Sequence, residues 1–406
     1  MLNSVDNQQG QKIKPLLRLG FRPFFLFGSL FATLSIALWL LTLKGVVSVE
    51  PLNGMLWWHS HEMLFGFTAA IIAGFLLTAV QTWTNIPSIK GGQLLFLVCL
   101  WGLARLLILF GTASMLPLAM ITDLVFLPLT AFFVGQRVIR IRQYRNLIFI
   151  PVLVLMSVMN LFTYLPSLGF DSAWQARGVH GMTLLVTFLV AFLGGRVIPM
   201  FTANGTKTTK VLPIKWLEIS ALASLVVVLV ILLLKDVGDF NMLTSIACLT
   251  AALLHAIRQW RWRIWVTLTV PLVWSLHFTM LFIPIGLGLL SLHFFGANIT
   301  LSTAIHSLTV GAIGGMILAM MSRVSLGHTG RMLQVGKLMS VAFFAIVISA
   351  IVRSIALAIW PQWTIQFWVL AGCLWCLAFG LFFFKYLPAR LAIIEPPLVL
   401  PVKAIP

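Results

Sequence analysis

The sequence predicts an all-α polytopic membrane protein of about twelve transmembrane helices, in a pseudo-threefold arrangement of four-helix units. Three observations carry this. The 406 residues are 60% hydrophobic and only 9% charged, where soluble domains carry about 25% charged residues. The apolar residues fall into runs of the ~20 residues that span a bilayer as a helix. The Lys and Arg residues alternate sharply between connections, as they do on the two sides of a membrane.

Taken in order, the expected spans are 24–43, 58–80, 93–111, 117–136, 147–165 and 179–195, then 217–234, 241–257, 264–288, 300–321, 338–360 and 364–384. Each is bounded by a charged or Pro/Gly-containing connection. The run from Phe24 to Leu43 is a full span behind a polar, basic tail, so it reads as an uncleaved first helix rather than a short signal core. Pro23 is an ordinary helix-start residue. No connection is long enough to fold alone. The chain is therefore expected to be a cytoplasmic N-terminal tail (1–22), a single transmembrane domain (23–385) and a cytoplasmic C-terminal tail (386–406).

Of the 27 Lys and Arg residues, 22 fall on the tails and even-to-odd connections, including Lys14, Arg18, Arg140, Arg145, Lys207 and Arg331. Only Lys44, Arg177 and Lys235 fall on the other side, and Arg105 and Arg353 lie within spans. By the positive-inside rule both termini are cytoplasmic. The net charge of +18 is thus loop charge facing a lipid bilayer and implies no nucleic-acid partner. Cys99, Cys248, Cys373 and Cys376 sit in apolar runs as small hydrophobes. The Cys373–Cys376 spacing lacks the soluble βαβ context of a redox motif.

The same alternation sorts the histidines. His59, His61, His180 and His306 fall near the outer ends of spans two, six and ten; His277 is expected in the outer half of span nine, and His293 in the loop that follows. His255 and His328 fall toward the inner face. Spans two, six and ten are each second in a group of four, which suggests a threefold repeat around a polar centre. From ~1.5 Å of rise per residue, His306, Arg105, Asp123 and Arg353 lie roughly 9–10 Å deep, and His277 roughly 15 Å. Ionisable groups at that depth mark function.

Imidazole ligates haem iron and copper, so these histidines predict a metal centre. His61 and His306 are the expected haem axial ligands, with His180, His277 and His59 as copper candidates. His59 and His61 point about 200° apart on an ideal helix, so one ligates while the other orients or faces water. Arg353 is the better candidate to clamp a haem propionate. Arg105 has the alternative of an ion pair with Asp123 across a short outer turn. Glu62 is the candidate catalytic residue, as a proton relay or as a partner orienting a ligating imidazole; a carboxylate near a helix N-terminus is its plain alternative. Gly314-Gly315 reads as close helix packing. A methionine route for copper through Met316, Met320 and Met321 is the alternative.

With Gly20-Phe-Arg-Pro-Phe-Phe-Leu26, Trp58-His-Ser-His-Glu-Met-Leu-Phe-Gly-Phe67, Ala73-Gly-Phe-Leu-Leu-Thr-Ala-Val80, Gly194-Gly-Arg-Val-Ile-Pro199 and the stretch from His306 to Arg323, the chain resembles the NnrS family of haem- and copper-containing bacterial membrane proteins. The resemblance covers almost the full chain. It implies a place in the bacterial inner membrane, haem b and copper as cofactors, a role in the response to nitric oxide and nitrosative stress, and quinol or another electron donor as a partner. More remotely, the layout resembles the large subunit of haem–copper oxidases, but lacks that subunit's His-His pair on helix seven and His-x-His on helix ten.

Three functions remain open at this point. They are a haem–copper oxidoreductase that binds or turns over nitric oxide, a transporter for a metal, haem or small anion, and a non-catalytic sensor or assembly factor. Carboxylates within the spans sit near the outer ends (Glu62, Asp123), apart from Glu218 near an inner end. Any nitric-oxide reduction is therefore expected to draw protons from outside.

The charge pattern makes a direct prediction. Reporter fusions after Pro166 and Phe240 should report the non-cytoplasmic side, and one after Tyr144 the cytoplasm. The reverse pattern would overturn the orientation.

Overall fold

The computed structural model describes residues 13–234, 238 and 240–391, with side chains through 387. The expected tails fall partly, at 1–12 and 392–406, outside the described residues, as does Lys235. Among the described residues there is no strand, and twelve helices are long and apolar enough to cross a membrane. They are α1 (Phe21–Leu43), α2 (Met55–Thr84), α3 (Gly92–Phe110), α4 (Ala113–Arg140), α5 (Tyr144–Leu168) and α6 (Ala173–Thr206). The second half comprises α7 (Lys215–Leu233), α8 (Asn241–Trp260), α9 (Pro271–Phe294), α10 (Leu301–Gly327), α11 (Lys337–Ile359) and α12 (Pro361–Leu387).

Short connections make sequence neighbours antiparallel. We name the end holding Leu43 and Met55 the histidine end, and the opposite end the basic end. Helices adjacent in sequence pack together, and α12 closes the ring against α1. That seam is pinned where Trp375 Nε1 donates to the Ala32 carbonyl at 3.2 Å. α2, α6 and α10 stand inside the ring: α6 touches both others, α2 also meets α4, and α10 also meets α12 and α1. α2 and α10 are 78% buried over their apolar windows, against 28% for α7 and α12. The helix count is the one expected from the sequence; α6, at 56%, is no more buried than α11 and less than α9, so burial does not single out one helix per group of four.

Three of these helices widen into π-helical turns, at Glu62–Thr68 in α2, Ser307–Gly314 in α10 and Val352–Ala356 in α11. Such turns cost regular hydrogen bonding and gather at functional sites. In α2 the Thr68 hydroxyl donates back to the Met63 carbonyl at 2.8 Å.

Span nine departs from expectation. Arg263 adopts a left-handed conformation (φ 58°) before a 3₁₀ turn at Ile264–Thr267. Pro271 then opens the helix, because its fixed φ and missing N–H suit the first helical position. The span therefore starts seven residues later than expected and runs through Phe294. His277 is consequently in the half toward the basic end, not the outer half, and His293 is on the last helical turn, not in a loop.

Gly178 fixes how closely α5 and α6 approach at the histidine end. A Cβ there would stand 2.5 Å from the Met159 carbonyl oxygen and 3.1 Å from the Thr163 nitrogen, both backbone atoms. Gly314 and Gly315 likewise abut Trp375 and Thr279, so close packing is what those glycines provide. Gly178→Val should destabilise the fold by about 1–3 kcal/mol through overpacking, read as a lowered midpoint of denaturant unfolding in detergent. Gly102→Ala, with nothing within 4 Å of the added carbon, should be silent. Equal effects of the two substitutions would refute the close-approach argument.

Candidate functional site

A cavity of about 210 Å³ lies between α2 and α10 at the histidine end, walled also by α1, α6, α11 and α12. α2 supplies His59 and α10 supplies His306. The two rings face each other with centroids 6.3 Å apart and planes within 8° of parallel. Each is held from behind. The His59 ring stacks on Trp39 of α1 at 4.4 Å. His306 Nδ1 donates to the Ser302 carbonyl at 2.7 Å, which leaves Nε2 as the lone-pair nitrogen of the neutral ring. His59 Nδ1 is buried with no hydrogen-bond partner.

α11 brings Arg353 to the same cavity. The side chain is 9% exposed. Nη2 donates to Ser302 Oγ at 3.2 Å, and the guanidinium lies 5.2 Å from the centre of the Trp368 ring. Arg353 Nη1 and Trp368 Nε1 are both buried without a partner. Each buried donor left without an acceptor costs about 1–3 kcal/mol. A carboxylate or other small oxoanion is the chemistry that would meet them.

His61 is elsewhere. Two positions along α2, it points the other way, as the 200° argument requires, into a cluster between α2, α3, α4 and α5. His61 Nδ1 donates to Glu62 Oε1 at 2.9 Å and Nε2 to Asn160 Oδ1 at 2.9 Å. Both ring nitrogens are spent on oxygen acceptors, so neither offers a lone pair to iron. The expected pairing of His61 with His306 is thus corrected: His59 faces His306. Trp57 stacks on His61 at 4.2 Å and closes the cluster.

Arg105 sits at the middle of this cluster. Its Nη1 lies 3.0 Å from Glu62 Oε1, and its Nη2 pairs with Asp123 Oδ1. Asp123 Oδ2 also accepts from Asn160 Nδ2 at 2.7 Å and the Tyr164 hydroxyl at 3.1 Å. The guanidinium, the two carboxylates and the His61 imidazole thus meet in one cluster, all 5% exposed or less. Gly66, within the π-helical turn, makes room: a Cβ there would stand 2.6 Å from Arg105 Nη1. Arg105 is therefore the internal ion pair that its position beside Asp123 suggested, and it does not line the cavity. Glu62 is fully buried in the same cluster and is likewise absent from the cavity wall.

The remaining candidates do not converge. From α6 the cavity takes Val179 and Thr183, not His180. His277 is near the basic end, where it shares a 2.8 Å hydrogen bond with Thr202. His180 and His277 are thus at opposite ends of the bundle. Among the described residues no three His, Cys, Asp or Glu side chains gather to hold a metal ion, so copper finds no ligand set of that kind. His255 donates to the Ala221 carbonyl at 2.9 Å as an ordinary packing residue. Sequence reasoning missed Asn160, Tyr164, Trp39 and Trp368. Asn160 had one available signal, a lone amide in an apolar span.

A family model described as NnrS protein matches residues 15–392. No curated protein matches the chain.

The ionic cluster gives a stability prediction. Arg105→Met strands two buried carboxylates and should cost about 3–5 kcal/mol, measured by unfolding in mixed detergent. The double variant Arg105→Met/Asp123→Leu leaves one carboxylate facing one imidazole and should lose less. A double variant at least as unstable as the single one would defeat the charge-balance account.

Proposed function

The chain belongs to the NnrS family, and from that premise we propose that the histidine cavity holds a haem b between His59 and His306, and that the protein binds or turns over nitric oxide in defence against nitrosative stress. The observation that carries this reading is the facing pair of imidazoles beside two orphaned buried donors. The donor set suits the group. Either imidazole would be able to ligate haem iron, and Arg353 Nη1 with Trp368 Nε1 would meet a propionate. Bound haem supplies an iron that takes diatomic ligands and exchanges single electrons.

The chain's own residues then have definite tasks. The Ser302 carbonyl fixes the tautomer of His306, and Trp39 fixes the plane of His59. The apolar lining from Leu40, Leu64, Val310 and Ile313 keeps the cavity poor in water. No Asp or Glu lines it, so proton delivery from Glu62 would have to pass around α2. The Lys and Arg bias supports an inner-membrane setting with the basic end in the cytoplasm. Turnover would also need a quinol or another electron donor. Copper is not carried into this proposal, since its candidate ligands do not meet.

A carrier of small anions is the second reading. The uncompensated Arg353 guanidinium favours it.

The absorption spectrum of purified protein decides between them. The haem reading expects a Soret band that is lost, or changed in spin state, in His59→Ala and in His306→Ala. His61→Ala should weaken the fold yet keep the wild-type spectrum in whatever protein folds. A colourless protein from haem-sufficient cells, or a wild-type spectrum in both cavity variants, would overturn it; anion flux in liposomes from colourless protein would install the second reading.

A further inference from the structure

A second cavity, of about 80 Å³, lies toward the basic end among α2, α6 and α10, with Phe25 of α1 and Phe149 of α5 on its wall. Every side chain on its wall is apolar, Ile71, Val186, Leu189, Met316, Ile317 and Met320 among them. A trapped water needs two to four polar partners, and here it would find none, so the space stays dry. Dry apolar cavities of this kind bind xenon and small hydrocarbons, while a charged or hydrogen-bonding guest is excluded by the cost of losing its water.

The two cavities follow one another along the same three helices. On α10 one stripe, Thr309, Val310 and Ile313 and then Met316, Ile317 and Met320, lines first the histidine cavity and then the apolar one. α2 does the same with Leu64 and Thr68 followed by Ile71 and Phe75, and α6 with Val179 and Thr183 followed by Val186 and Val190. On all three helices the last residue of one wall and the first of the next are three apart. That is a partition of roughly 4.5 Å at helical rise. At that level α2 offers Ala69 and Ala70, α6 offers Leu184 and Leu185, and α10 offers Gly314 and Gly315 with Trp375 and Thr279 packed against them.

We propose that the apolar cavity is a binding site for a small uncharged molecule of diatomic-gas size, and that it stages that molecule for the histidine cavity through this thin partition. The staging role rests on the haem reading above; the binding site does not. The test uses the full chain. Crystals pressurised with xenon should show one atom in the apolar cavity. Val186→Phe/Ile317→Phe, which fills it, should lose that atom; Leu189→Phe, filling it from α6 alone, serves if the double variant does not purify. In haem-loaded protein the filled variant should bind nitric oxide more slowly after flash photolysis, with an unchanged absorption spectrum. Absence of xenon from the wild-type cavity would overturn the site. Loss of xenon with an unchanged association rate would overturn the staging role. If the protein carries no haem, the xenon result alone still decides the site.

Discussion

The structure depends on one constraint: charge buried in a low-dielectric bundle has to be balanced where it sits. Arg105, Glu62, Asp123 and His61 satisfy it together, on three helices and with Asn160 from a fourth. Their mutual attraction fixes the rotation of α2 about its own axis. Once His61 is committed to that cluster, the next histidine back along the helix has to face the opposite side. Helical geometry then delivers His59 to the cavity wall, across from His306. A packing interaction on one face of α2 thereby sets the chemistry available on the other.

The two buried arginines make the same point by contrast. Arg105 and Arg353 occupy third helices of their groups, near the same end of the bundle. Arg105 has two carboxylates within reach. Arg353 has a serine hydroxyl, an aromatic face and an unpartnered nitrogen. Identical residues thus play different parts, one completing an internal charge balance and the other leaving a balance open for something that enters. The open one lines the cavity with the facing imidazoles, and that coincidence gives the site its coherence.

Much of this was legible in the sequence. Apolar run length and loop charge located all twelve helices, and Arg105 with Asp123 was readable as a pair because both flank one short turn. Which of His59 and His61 enters the cavity was not readable. Their spacing says that they diverge, but the choice is made by Asn160 and Asp123, on helices far away in sequence. His277 was misplaced for a different reason. The apolar run before Pro271 looks continuous by composition, and only the left-handed Arg263 and the proline divide it. Trp368 was overlooked because an indole N–H without a partner is a property of surroundings, not of composition.

The seam between α12 and α1 has a consequence for biosynthesis. α12 contributes Trp368, Ala371, Gly372 and Trp375 to the cavity wall, and it docks on α1, far from it in sequence. Until that segment enters the bilayer, the chamber is an open groove facing lipid, lacking the indole beside Arg353. The cavity wall is therefore complete only once α12 has docked on α1. A nascent chain interrupted before α12 would have its histidines in place and nothing to retain what they bind.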